Sequence, residues 1–301
     1  MSTTRELVER LRRQLGVDDP LSPAEPGLFL TPPPQRIFPG AREQSSYKRE
    51  ASAHTSALVG IGNVGTRYAT DVVLQFQAEL AVARGAVASP LPDTWCEENR
   101  LLPLKSRVNE HQEFLLRPDL GRRLDDESRL LLQAHAQNGV DVQPILADGL
   151  SALACVGSGM KVLSALTQEC QQLGLSVGTP MCARYARVWL EDEIGELLRA
   201  RVAIIILGER PGLGTGDGLS AYAVYDPAVG KTDSDRNMIS NIHVRGTSPI
   251  DAATRLARMA RAMIQQSRSG VELDLSQLDD SSTDLAPRTG QVRARLVEVT
   301  S

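Results

Sequence analysis

Apolar positions recur along this chain in two different rhythms. Over residues 5–15, Leu7, Leu11 and Leu15 stand four apart with Val8 beside them, the spacing of a short amphipathic helix. The periodicity lapses through 16–53, where LTPPPQ and many polar residues read as a flexible linker. From 66 to 89 apolar residues return at intervals of three and four and predict a helix stopped by Pro90 and Pro92. A second helix, rich in Leu and Ala, is expected over 122–138. Residues 54–138 therefore read as a small, mostly helical domain.

Beyond 138 the rhythm changes. VQPILA at Val142–Ala147 is a candidate strand followed by the turn-like DGLS, and 158–173 reads as a helix ending at Gly174. Leu175–Val177 and Ala186–Leu190 read as short extended segments, and 191–199 as a short helix. Val202–Leu207 is a β-branched run of the kind that forms a strand buried on both faces. Leu219–Tyr225 alternates as a strand, and 249–267 begins with a proline suited to a first helical turn. Strands alternating with helices predict an α/β fold in which 139–270 forms a Rossmann-like, mainly parallel sheet with helices on both faces. In the tail, 271–301, DLSQLDDSSTDLAPRTG has the composition of a disordered segment, and QVRARLVEV after it is a candidate strand.

Composition narrows the function classes. The chain has 301 residues, 42% of them hydrophobic, and a formal net charge of −4, with acidic and basic residues interleaved throughout. That balance offers no basic face for nucleic acid or an anionic membrane. The four cysteines, Cys96, Cys155, Cys170 and Cys182, form no C-x-x-C and no zinc-like spacing, so they read as free thiols in a reducing cytoplasm. The longest apolar runs fall far short of the ~20 residues of a membrane span, and the charged start MSTTRELVERLRRQLG lacks a signal-peptide core.

Several motifs invite a chemical reading. Gly60-Ile61-Gly62-Asn63-Val64-Gly65 matches the spelling of a dinucleotide-binding turn, the basis of an alternative reading as an NAD-binding oxidoreductase. Such a turn needs a strand before it and an acidic residue at the end of a second strand; here the lead-in HTSALV is poor, and Glu79 falls inside the predicted helix. A glycine-rich lead into a helix accounts for it better. A second cluster runs from Gly208 to Gly218 directly after the buried strand, as Asp148-Gly149 follows Val142–Ala147. Ligands of open α/β sheets sit outside the carboxyl ends of strands, so these loops either frame a ligand crevice or are ordinary turns. Glu209 then stands at the crevice edge as a hydrogen-bond acceptor, or is a solvated surface acid. Arg117, Arg122 and Arg123 offer guanidinium groups for a phosphate or carboxylate, though a salt-bridged turn or subunit contact explains them better. Asn241-x-His243-x-x-Gly246 differs from a cobalt-ligating D-x-H-x-x-G signature by Asn241, which orients an imidazole less well than Asp, so His243 is not assigned to a metal. His54, His111 and His135 have no metal-ligand spacing either.

An ordered set of segments resembles the small (light) subunit of ethanolamine ammonia-lyase. It comprises RPDLGRRL at Arg117–Leu124, ADGLSA at Ala147–Ala152, VGTP and ARYARV at Val177–Val188, and EDEIGELL at Glu191–Leu198. GERPGLG at Gly208–Gly214, SAYAVYDP at Ser220–Pro227 and DRNMISNIH at Asp235–His243 complete it. The resemblance implies an adenosylcobalamin-dependent lyase that converts ethanolamine to acetaldehyde and ammonia by radical chemistry. It implies a hetero-oligomer with a large, TIM-barrel subunit, six of each chain, with the cofactor between the two kinds of chain and dimethylbenzimidazole kept on cobalt. The substrate residues would belong to the large subunit, leaving no catalytic or metal-ligating residue in this chain. By the same resemblance the cofactor contacts fall on Val188, Glu209 and Met238, the last standing where the family commonly has Cys. The family also implies a cytoplasmic location, and the N-terminal helix has the shape of a segment that directs cargo into a bacterial microcompartment.

Overall fold

Val202–Leu207 is the most apolar run in the sequence, and its strand sits at the centre of the sheet. The computed structural model describes residues 63–276, apart from Asp93, 213–216 and 244–245. The expected helix at 5–15, the linker to 53 and the tail from 277 lie outside the described residues.

Two short strands, β1 (Asn63–Val64) and β2 (Arg67–Tyr68), form an antiparallel hairpin that leads into helix α1 (Thr70–Ala88). A helical turn at Trp95–Glu98 precedes β3 (Leu102–Lys105), and α2 (His111–Leu116) and α3 (Asp126–His135) follow. The main alternation is β4 (Val142–Ala147), α4 (Met160–Gln172), β5 (Met181–Arg184), α5 (Leu190–Leu198) and β6 (Val202–Gly208). The chain closes with β7 (Leu219–Tyr225), β8 (Arg236–Ile242) and α6 (Pro249–Gln266).

The large sheet has the order β3-β5-β4-β6-β7-β8. The first four strands are parallel, while β7 and β8 add to β6 antiparallel. The fold is thus mixed α/β on a mostly parallel sheet. Both central strands, β4 and β6, are buried along their whole length, because helices cover both faces. On one face α4 and α6 cover Val142, Leu146, Ile204, Ile206 and Ala221. On the other, α3 and α5 cover Ile145, Ala147, Met181, Ile205 and Leu207. Each buried Leu, Ile or Val contributes roughly 1.5–3 kcal/mol relative to exposure.

Local chemistry sets the helix boundaries. Asp125 caps α3 by accepting from the Ser128 N–H at 2.7 Å, and the Ser248 hydroxyl caps α6 from the Asp251 N–H at 3.1 Å, with Pro249 opening the helix. The Asp125 cap starts α3 at Asp126, later than the apolar pattern alone predicts, and α6 begins at Pro249 as that pattern predicts.

Three differences from the sequence reading have physical causes. The strand after α4 is Met181–Arg184, not Ala186–Leu190: Tyr185 takes a left-handed φ of 53° and ends the strand, so 186–189 forms the turn into α5. The helix expected at 158–173 begins earlier, at Ala152, and passes through a π-type turn at Cys155–Gly159. Strand β3 arises within 54–138, whose sequence reads as helical, and joins the sheet edge beside β5. Its segment LPLK is too short and too proline-marked to show a period of two.

Candidate functional site

The parallel strands β5 and β6 finish at the same end of the sheet; the connection after β5 carries Val188 and the one after β6 carries Glu209, while Met238 lies within β8. Glu209 directly follows β6, and its N–H donates to the Gly218 carbonyl at 3.0 Å across the base of the glycine-rich loop. Its carboxyl Oε1 accepts from the Tyr222 hydroxyl at 3.0 Å. Burial, followed by the neighbouring Glu209, pushes the Tyr222 phenol up to about 12, so it remains a donor at neutral pH. Tyr222 is in turn the cross-strand partner of Met238 on β8, and cross-strand partners project from the same face. Met238 is half exposed. Val188, half-buried in the turn between β5 and α5, packs with Tyr222 against the apolar layer under α5. Tyr222 therefore neighbours both Glu209 and Met238, and Val188 packs against the apolar layer on the same face of the sheet.

The layer beneath this surface is charged. Glu191, Asp192 and Glu193 open helix α5, where acidic groups suit the helix dipole, yet all three are buried. Arg236, at the start of β8, donates from Nη1 to Glu191 at 2.9 Å and to Asp192 at 2.8 Å, and from Nη2 to Asp192 at 2.8 Å. Glu193 pairs with Arg129 and accepts from the Leu124 N–H at 2.8 Å. Burial pushes Glu191 up to about 8 against the pull of Arg236, and it raises Asp192 as well. With one guanidinium facing two carboxyls, a proton on Glu191 leaves the trio near neutral. This cluster ties β8 to α5 and so holds the Met238 strand against the Val188 turn. In the sequence these acids look like an exposed helix start; only the tertiary position of Arg236 explains their burial.

The other candidate residues separate from this surface. Arg117 forms a bidentate pair with Asp119 at 2.9 and 2.7 Å in an exposed turn, and the Arg122 guanidinium stacks on Trp189 at 4.2 Å. Arg187 donates to the Phe114 carbonyl at 2.7 Å, and its N–H donates to the Gly121 carbonyl at 2.8 Å. The arginine-rich turn thus braces the segment that carries Val188. His243 is buried, with Nε2 at 2.6 Å from Asn241 Oδ1. His135 is exposed at the end of α3. Gly65 lies in the turn of the β1–β2 hairpin, apart from the parallel sheet, so the end of the Gly60–Gly65 motif is not a strand-to-helix phosphate turn. Glu79 lies within α1 and accepts from Gln75 at 2.9 Å. Among the described residues no group of three or more His, Cys, Asp or Glu side chains is arranged to hold a metal ion, and no helix is long and apolar enough to cross a membrane. All four cysteines are buried free thiols.

Tyr222 and Arg236 are the participants that sequence reasoning missed. The alternation of Leu219–Tyr225 places Tyr222 on a definite face, but only the pairing with β6 and β8 brings its hydroxyl to Glu209.

Compared with known protein families, residues 45–274 match the family described as ethanolamine ammonia-lyase light chain (EutC). The match spans most of the 301 residues and contains the whole of the sheet, so the chain belongs to the ethanolamine ammonia-lyase light chain family.

Proposed function

We propose that this chain helps hold adenosylcobalamin against a large catalytic subunit, through Val188, Glu209 and Met238 on the exposed part of the sheet face. The observation that carries the reading is that Tyr222 links two of these residues, its hydroxyl 3.0 Å from Glu209 and its strand position across the ladder from Met238, while Val188 packs on the same face. The donor set fits the cofactor. A corrin is broad, apolar across its faces and fringed with amides. Val188 and Met238 offer apolar surface, and the Glu209 carboxyl accepts N–H groups at the margin.

When bound, adenosylcobalamin supplies the radical that abstracts hydrogen from ethanolamine; protein supplies binding, orientation and shielding. In this division of labour Glu209 fixes the orientation of the ring margin, and the Tyr222 hydroxyl fixes Glu209. Val188 and Met238 exclude water from the surface they cover. Methionine in place of the family's usual cysteine preserves a packing contact and removes any thiol-specific role. Substrate acid–base chemistry falls to the large subunit, in an assembly of six copies of each chain.

The test uses the complex co-expressed with its large subunit, with cobalamin affinity read from absorbance titration. Glu209→Ala is expected to weaken binding roughly 10- to 100-fold, the scale of a hydrogen bond to a charged group, with the unfolding midpoint nearly unchanged. Equal affinity in variant and parent refutes the assignment.

A further inference from the structure

The connections leaving β4 and β5 diverge: β4 leads to α4 on one face of the sheet and β5 to α5 on the other. Where neighbouring strands of an open sheet send their connections to opposite faces, a crevice opens at their carboxyl ends. A cavity of about 210 Å³ lies there, lined among others by Asp148, Gly149, Tyr185 and His111, with Val87 and Ser89 at the end of α1. Sites for drug-sized ligands have volumes of roughly 300–1,000 Å³. This one suits a single arm of a larger molecule.

Its polar feature is Asp148, only 5% exposed although it lines the cavity. Gly149 and Tyr185 both take a left-handed φ of 53°; the Ala186 N–H bonds Asp148 Oδ1 at 3.4 Å, and the Tyr185 and Gly149 N–H groups and the Arg184 guanidinium act on the carboxyl in the direction that favours its ionised form. The carboxyl is thus held in a fixed orientation from the backbone side. Burial outweighs those bonds and pushes its pKa up to about 6, so further hydrogen-bond donors in the cavity would stabilise the ionised form. The cavity wall is continuous with the Glu209 loop: the Leu150 N–H donates to the Gly208 carbonyl at 2.9 Å. A Cβ on Gly149 would stand 2.2 Å from that same oxygen, so only glycine lets the two loops nest.

We propose that the Asp148 cavity is a second subsite of the same ligand surface, which takes a hydrogen-bond-donating side arm, a primary amide of the corrin margin, with Asp148 as its acceptor. This inference rests on the cobalamin reading of Val188, Glu209 and Met238. Its selectivity follows from charge. An amide donates to Asp148, whereas a carboxylate at the same arm meets a buried like charge.

The experiment compares the intact complex of the parent with Asp148→Asn, with Ser89→Trp, which fills the cavity from its exposed mouth, and with Glu209→Ala. Each is titrated with cobalamin and with cobalamin monocarboxylic acids, in which one margin amide is hydrolysed. The expected result is an affinity loss of about tenfold or more in Asp148→Asn and in Ser89→Trp. One monocarboxylic acid should also bind the parent much more weakly than cobalamin does, with that gap narrowed in Asp148→Asn. Normal affinity in both cavity variants, with Glu209→Ala impaired, overturns the subsite alone. Normal affinity in Glu209→Ala overturns the underlying reading. If Asp148→Asn instead lowers affinity for ethanolamine added alone and leaves cobalamin unaffected, the arm is a free amine and the proposal is wrong.

Discussion

The two faces of the sheet are built to different rules. Under α4 and α6 the packing is apolar, with small residues of α6 such as Ala252, Ala253, Ala257 and Ala260 buried against it. Under α3 and α5 the apolar layer stops at β6 and Tyr222, and beside it lies the cluster of Arg236, Glu191 and Asp192. The first face is closed. The second leaves Met238 half exposed and Tyr222 with its hydroxyl on Glu209. One side of a single sheet thus supplies cohesion. The other spends stability on buried charge to hold β8 and α5 in register beneath a more exposed surface.

The largest expected effect tests whether that charge is structural. Removing one partner of a buried ion pair typically costs ~3–5 kcal/mol, because the other charge stays buried without compensation. Arg236→Ala, which abandons both Glu191 and Asp192, should lower stability by that amount in urea unfolding. A loss below about 1 kcal/mol, the scale of a surface salt bridge, would show the two faces to be less different than their contents imply. On the closed face, Leu256→Ala removes a fully buried side chain and should cost ~2–5 kcal/mol. The contrast sharpens in the complex: Leu256→Ala should leave cobalamin affinity unchanged wherever the protein remains folded, while Arg236→Ala should weaken it by freeing β8.

The closed face was largely legible in the sequence and the open one was not. Val202–Leu207 announces a strand covered on both sides, and the Pro249 helix announces its own start; each depends on its own residues. The left-handed turn at Tyr185 that ends β5 belongs to a residue type that rarely adopts it, so Ala186–Leu190 looked extended. The acids of EDEIGELL appear solvated until Arg236, more than forty residues later, arrives from β8. For the site, Glu209 could be inferred from its place after a buried strand, and Val188 and Met238 rested on family resemblance. Tyr222, the neighbour of Glu209 and Met238, emerged only from strand register.

A second contrast separates the faces by pH. Burial raises Glu191 from 4.5 to about 8, so the folded chain holds a proton there that the unfolded chain has released. A state that binds the extra proton loses relative stability as pH rises through that window. Stability should therefore decline from pH 5 to pH 8, and Glu191→Gln, which keeps the neutral shape, should flatten the decline. Unfolding midpoints that shift with pH equally in both proteins would place the proton elsewhere.

The smallest effect concerns the hydroxyl that joins strand register to ligand surface. Tyr222→Phe deletes the hydroxyl that donates to Glu209 and should cost ~0.5–1.5 kcal/mol. Its signature is at alkaline pH. The phenol is raised from 10.0 to about 12 in the folded chain, so between those values the unfolded chain ionises first and stability falls as pH increases. Phe cannot contribute to that fall, so the alkaline loss of stability should be shallower in the variant. Cobalamin affinity offers the second readout, because a Glu209 released from Tyr222 loses its aim. A severalfold loss, smaller than that of Glu209→Ala, is the result expected if Tyr222 positions Glu209. An affinity equal to the parent's would mean that Glu209 holds its place without the hydroxyl, and that the open face owes its order to Arg236 alone.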